Sequence, residues 1–141
     1  SIKIIDKKGE LPSTFVEGRN LFFLSTAAVF AKQRGCSVLY TGVCETDFSG
    51  YPDCRNEFIK SLTETVTLAM DYEFEIRTPL MWLSKSETVL LMQSLKKLDW
   101  YQYTHTCYEG KRPACGRCPA CQLRLKGFEQ AGIDDPLLYQ R

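Results

Sequence analysis

Cys107, Cys115, Cys118 and Cys121 follow one another as C-x7-C-x2-C-x2-C, which brings four thiolates within a short stretch of chain. Turns at Gly116 and Pro119 let their sulfurs converge on one tetrahedral ion, and a closed four-sulfur shell leaves no open coordination position. The metal is therefore expected to be structural, with zinc the leading ion. Four thiolates around a divalent zinc leave a double negative charge, which Lys111, Arg112, Arg117, Arg124 and Lys126 lie nearby to offset. The alternatives are free or disulfide-bonded cysteines and an iron–sulfur cluster, although a C-x2-C-x2-C-x3-C run would put its fourth cysteine at Leu125. Cys36, Cys44 and Cys54 lack such company and read as small packing residues. His105, the only histidine, is assigned a structural hydrogen-bonding role rather than a place in a full ligand shell.

A second cluster occupies residues 42–55, between a strand and a helix, at the sheet edge where open α/β folds bind ligands. Glu45, Asp47 and Asp53 can accept hydrogen bonds from an amidine edge, Phe48 and Tyr51 can stack on a planar ring, and Arg55 can pair with a carboxylate. That mixture suits a planar heterocycle bearing an acid. The competing reading is an ordinary polar loop with Asp53 as a helix cap and Arg55 on a solvated face. Gly18-Arg19-Asn20 precedes a helix, where backbone N–H groups and a guanidinium can meet phosphate, or Asn20 can act as a plain cap. Lys85 lies in the first turn of a helix, the unfavourable end for a cation, which points to an anionic partner or to simple solvation. There is no Ser/His/Asp signature, paired-histidine motif or glycine-rich phosphate loop.

These residues need elements to hold them. Ile2, Ile4 and Ile5 suggest an edge strand or entry loop. From an Asn20 cap to a stop at Gly35, Leu21, Leu24, Ala28 and Ala31, with Phe22, Phe23, Val29 and Phe30 on other faces, predict a largely buried helix. Residues 37–41 form a short apolar run of the kind found in a parallel strand covered on both faces. Asp53 or a neighbour caps a helix whose Phe58, Ile59, Leu62, Val66, Ala69 and Met70 recur at three- and four-residue spacing. Residues 74–78 alternate as a second strand. Ser84 and Glu87 have capping-box spacing ahead of an apolar stripe over 89–98, and Pro119 opens a last helix ending near Gly132. Helix, strand, helix, strand, helix implies crossovers onto a parallel sheet, an α/β architecture thin enough to be half of a doubly wound fold.

The 141 residues suit a single domain, read as 1–141 with a zinc-binding segment at 107–121. A hydrophobic fraction of 44% and a charged fraction of 25% are ordinary for a globular chain. Eighteen basic against seventeen acidic residues, net +1, give no broad footprint for nucleic acid. The apolar stretch at 21–31 is shorter than the roughly 20 residues a bilayer crossing needs. An odd count of seven cysteines, four of them clustered, places the protein in a reducing cytoplasm. Ser rather than Met at position 1 suggests a chain that begins inside a longer product or after processing.

Phe15-Val16-Glu17-Gly18-Arg19-Asn20, the 42–55 segment Gly-Val-Cys-Glu-Thr-Asp-Phe-Ser-Gly-Tyr-Pro-Asp-Cys-Arg, and Thr78-Pro79-Leu80-Met81-Trp82 together resemble the QueC family of 7-cyano-7-deazaguanine synthases. Thr106-Cys107-Tyr108 and Cys115-Gly116-Arg117-Cys118-Pro119-Ala120-Cys121 match that family's zinc-ligand motifs, so the resemblance runs over residues 12–125. It implies an adenine-nucleotide α-hydrolase-like (Rossmann-like) fold. The implied activity is an ATP-dependent ligation of 7-carboxy-7-deazaguanine and ammonia to the nitrile preQ0, a queuosine precursor, through an adenylated carboxylate and an amide. By motif position, Glu45, Asp47, Phe48, Tyr51, Asp53 and Arg55 would hold the deazaguanine. Arg19 and Asn20 would line the nucleotide side, and Lys85 would stabilise charge on leaving pyrophosphate. Zinc on the four cysteines, ATP with magnesium as co-substrate and a homodimer are implied as well, with no direct nucleic-acid or membrane partner. The family's Ser-Gly-Gly-x-Asp-Ser pyrophosphatase loop is missing, so the chain resembles the carboxy-terminal two-thirds, with an incomplete sheet, and is expected to be inactive alone. The competing classes are a zinc-stabilised binding module or split-enzyme subunit, and a transfer-RNA-binding factor with a zinc knuckle, which the near-neutral charge disfavours.

Overall fold

In a computed structural model that describes residues 15–45 and 50–140, the chain forms two compact units, Ser1–Trp82 and Leu83–Arg141. The expected strand at Ile2–Ile5 and the loop residues Asp47 and Phe48 lie outside the described residues. Among the described residues no helix is long and apolar enough to cross a membrane.

The first unit is a βαβ crossover backed by one helix. Helix α1 (Arg19–Gln33) starts after Gly18, whose φ of 67° is open to glycine at little cost, so the cap is Gly18 and not Asn20 as the sequence suggested. It ends as anticipated at Gly35: the Gly35 N–H donates to Lys32 O (3.0 Å) and the Cys36 N–H to Ala31 O (2.9 Å), a Schellman closure. Strand β1 (Val38–Tyr40) leads through α2 (Asn56–Met70) into β2 (Glu75–Arg77), and the two strands pair in parallel with Leu39 opposite Ile76. One face of this ladder is apolar. Leu24, Ala28 and Ala31 from α1 and Ile59, Leu62 and Val66 from α2 gather with Phe74, Ile76, Val43 and Met81 into the core. The Lys32 ammonium donates to Met70 O at the carbonyl end of α2, the favourable end for a cation.

Two expectations fail here for physical reasons. The opposite sheet face is polar and open: Arg77 pairs with Glu75 (2.7 Å) and donates to the Tyr40 hydroxyl (2.8 Å), so β1 is not covered on both sides. Helix α1 is also not largely buried. Leu21, Phe22, Phe23, Val29 and Phe30 are exposed, because the core accepts only the stripe through Leu24, Ala28 and Ala31.

In the second unit α3 (Lys85–Ser94) packs on α4 (Pro119–Ala131). The capping box is complete: the Glu87 N–H donates to Ser84 Oγ (3.3 Å) and the Ser84 N–H to Glu87 Oε2 (2.7 Å). α3 stops at Ser94, short of the predicted stripe, where Lys96 takes a left-handed φ of 56° and a 3-10 segment, Leu98–Tyr103, begins. Gly127 allows the close helix approach, since a Cβ there would lie 2.7 Å from Lys85 Cβ. Pro119 occupies the first turn of α4 and Gly132 (φ 66°) ends it, both as read from the sequence.

Candidate functional site

The four cysteines are buried and meet as their spacing requires. Gly116 turns the chain between Cys115 and Cys118 with a φ of 70°, and α4 begins immediately after Cys118, which places Cys121 on its inward face. All four sulfurs lie within 4.8 Å of one another, an arrangement that could hold one metal ion. Cys115 Sγ and Cys121 Sγ are 3.9 Å apart, too far for a disulfide, and none of the seven cysteines is disulfide-bonded. The site already polarises its sulfurs. The Cys115 N–H points at Cys107 Sγ (3.5 Å) and the Cys118 N–H at Cys115 Sγ (3.3 Å).

Ionisation is shared unevenly. The Cys115 N–H, with help from those of Lys111 and Glu109, outweighs burial and brings the Cys107 thiol down to about 6. Burial dominates at Cys121 and, with the neighbouring Cys118 sulfur, pushes it up to about 12. Four thiolates side by side are stable only around a cation, so the donor set fits a thiophilic metal.

The basic residues expected to balance that charge behave differently. Lys111 (2.7 Å) and Arg117 (3.5 Å) pair with Glu109. Arg124 is buried in α4 and paired with a carboxylate: its Nε and Nη2 each donate to an Asp135 oxygen at 2.7 Å. It also donates to Thr104 Oγ1 (2.6 Å) and Tyr101 O (3.2 Å). Sequence reasoning missed this hub, although a signal existed: Cys121, Arg124 and Phe128 share one helix face, and a charge on a buried face needs a buried partner. His105 has the structural role assigned to it, its Nε2 lying 2.9 Å from Lys111 O.

In the first unit Glu45 stands on the segment that leaves the carboxyl end of β1, beside the segment that leaves β2. The Thr41 N–H donates to Arg77 O and the Glu45 N–H to Met81 O, both at 3.0 Å, so the segments leaving the strands run together. Glu45 Oε2 then accepts the Asn56 N–H (3.0 Å) and caps α2, the task expected of Asp53 or a neighbour. Asp53, in a 3-10 turn over Pro52–Cys54, reaches instead to α1: its Oδ2 accepts the Asn20 N–H (2.9 Å), while Asn20 Nδ2 donates to Asp53 O (3.1 Å) and Cys54 Sγ (3.3 Å). The other oxygen, Asp53 Oδ1, is buried with no hydrogen-bond partner among the described residues. Such an acceptor is costly unless a donor arrives.

Tyr51 lies against Phe15 with ring centroids 5.4 Å apart, and Arg55 is exposed at the entrance to α2. Arg19 is exposed in the first turn of α1, beside Asn20. Lys85 belongs to the second unit, as the first residue of α3, backed by Gly127.

A 7-cyano-7-deazaguanine synthase from Chromobacterium violaceum is 54% identical over 128 residues, 91% of this chain and 55% of the relative. The chain thus spans about half the length of the curated relative it matches. The sequence model described as queuosine biosynthesis protein QueC matches residues 1–132, nearly the whole chain, and the protein therefore belongs to the QueC family.

Proposed function

We propose that this chain is the substrate-loop and metal-knuckle part of an ATP-dependent carbon–nitrogen ligase that converts 7-carboxy-7-deazaguanine and ammonia to 7-cyano-7-deazaguanine. The observation that carries the reading is the 54% identity to a relative named for that synthase. The orphaned Asp53 Oδ1 adds a physical reason, because the amidine edge of a deazaguanine offers the N–H donors it lacks. Asp53 and Glu45 would then do two jobs, each giving one oxygen to a helix N-terminus. Asp47 would add a further acceptor, Phe48 and Tyr51 a stacking surface, and Arg55 a partner for the carboxylate.

In the proposed reaction the substrate carboxylate attacks the α-phosphorus of magnesium-bound ATP and pyrophosphate leaves. Ammonia adds at the acyl carbon and expels AMP, giving the amide. The amide oxygen is adenylated by a second ATP, and loss of AMP with the remaining N–H protons yields the nitrile. Arg19 and Asn20 would face the nucleotide, and Lys85 would offset charge on the leaving pyrophosphate. The fold proposed around these residues is the adenine-nucleotide α-hydrolase-like sheet, to which β1, α2 and β2 contribute one crossover. Zinc is the proposed ion at Cys107, Cys115, Cys118 and Cys121, since Zn–S bonds of about 2.3 Å set tetrahedral sulfurs about 3.8 Å apart. It would cross-link the fold and take no part in the reaction. A homodimer in the cytoplasm completes the proposal.

The test is an assay of the full-length protein with 7-carboxy-7-deazaguanine, ammonia and ATP, following AMP and the nitrile by mass spectrometry. Nitrile formation that Lys85→Ala slows through kcat, with KM preserved, supports the assignment. Failure of the zinc-replete, full-length protein to form AMP in response to the deazaguanine overturns it. The second reading is a zinc-stabilised binding module that retains the deazaguanine without turnover, and deazaguanine binding with no AMP formed in the same assay would favour it.

A further inference from the structure

Beyond Gly132, outside the residues matched by the family model, the chain doubles back over the cysteine cluster. The Ala114 N–H donates to Leu138 O (3.0 Å) and the Gln140 N–H to Ala114 O (2.8 Å), so the tail is bonded to the residue directly before Cys115. Leu137 and Tyr139 pack against the buried cluster formed by Ala114 and the four cysteines. The Tyr139 ring covers the Cys115–Gly116 turn, close enough that a Cβ at Gly116 would touch its Cδ1 at 3.6 Å.

One hydrogen-bond hub holds this segment in place. Tyr139 donates its hydroxyl to Asp135 Oδ2 (2.6 Å), and Asp135 Oδ1 accepts the Leu137 N–H (3.0 Å). Both Asp135 oxygens receive Arg124, which stands three residues after Cys121 on α4 and also holds Thr104 and Tyr101, just ahead of Cys107. The pair is buried, with Arg124 and Asp135 side chains 7% and 4% exposed. The hub therefore ties together the segments that carry Cys107, Cys115 and Cys121.

We propose that residues 134–140 are a strap, latched by Arg124, Asp135 and Tyr139, that governs how fast the metal leaves the four-cysteine site. The residues act through the ligands and do not themselves touch the ion. The inference rests on the metal-centre reading, so that reading has its own check: cobalt(II) uptake with thiolate charge-transfer bands. The strap is tested on the zinc-loaded, full-length protein by the rate at which the chelator 4-(2-pyridylazo)resorcinol takes up zinc. Tyr139→Ala, which removes the cover, and Asp135→Asn, which loosens the latch, should accelerate release about tenfold or more, the scale typical of partners surrounding a metal's ligands. Tyr139→Phe keeps the ring and should fall between these and the wild type. Leu138→Ala alters a side chain that is 76% exposed on the same strap and should leave the rate unchanged. Cobalt spectra identical across the series, with release faster than global unfolding, support the strap. Release rates within twofold of the wild type, or acceleration fully accounted for by faster global unfolding, overturn it. Should the variants fail to fold, the wild type carries the test: amide exchange at Gln140 and zinc release must share one urea dependence, and independent dependences refute the proposal.

Discussion

Gly127→Ala sets two known effects against each other at one position. Glycine in a helix interior costs about 1 kcal/mol relative to alanine, so on propensity alone the substitution should stabilise α4. The structure points the other way. A Cβ at 127 would stand 2.7 Å from Lys85 Cβ, 3.4 Å from Lys85 C and 3.6 Å from its Cα. Carbon atoms rest about 3.5–4.0 Å apart, so the helices must separate by about 1 Å, and the nearest atoms are rigid ones rather than the end of a flexible side chain. Overpacking of that kind costs about 1–3 kcal/mol, which leaves a net loss of up to about 2 kcal/mol after the propensity gain. The assay is urea denaturation of the zinc-loaded protein, with the midpoint falling at constant slope. Because Lys85 opens α3, the same displacement should lower the proposed ligase turnover in the full-length protein. A rise of about 1 kcal/mol in stability would show that only propensity acts, and would refute the close helix crossing.

Cys118→Ser should reduce bound zinc from about one per chain and unfold the 107–121 segment, as judged by metal analysis and amide exchange, because structural zinc supplies folding free energy outright. For Asp135, burial raises its carboxyl, but Arg124, the Tyr139 hydroxyl and the Leu137 N–H outweigh it and hold it below the ordinary 3.8. Stability from this pair is therefore present above about pH 4 and lost as pH falls through the folded value, so the urea-midpoint deficit of Asp135→Asn should be largest near neutrality and close below about pH 4. At neutral pH that deficit should approach 3 kcal/mol, the cost of breaking a buried pair, about the low end of the usual range. Asp53→Ala should lose about 1 kcal/mol of stability with the α1 cap. Asp53→Asn can keep the oxygen that accepts from Asn20 but turns Oδ1 into a donor, so calorimetry should find nearly normal stability and at least about tenfold weaker binding of 7-carboxy-7-deazaguanine.

Features written in short-range code were legible in the sequence: the cysteine spacing, the Ser84–Glu87 box, the Pro119 start and the Gly132 stop. Partners distant along the chain were not. Nothing local tells that Asp53 caps a helix beginning more than thirty residues earlier, or that Glu45 takes over the cap of α2. The same blindness turned Arg124 into a counter-charge for thiolates when its partner is Asp135. The end of α3 was overrun because Leu95 and Leu98 continue an apolar pattern, while the chain leaves the helix through a left-handed lysine that no propensity favours. Aromatic residues on several faces of α1 read as burial, yet the core of this unit takes in only the stripe through Leu24, Ala28 and Ala31.

That same helix bears on how the chain behaves in a tube. Phe22, Phe23 and Phe30 are 68%, 60% and 53% exposed, and Leu21 and Val29 widen the sticky surface. A net charge of +1 and an isoelectric point near 7.5 leave almost no long-range repulsion between molecules at the buffers in common use. Colloidal stability is then set by this surface, and precipitation rather than unfolding becomes the first failure on concentration. Handling the chain well away from pH 7.5 should keep it dispersed, and moderate salt, by screening what little charge exists, should make matters worse.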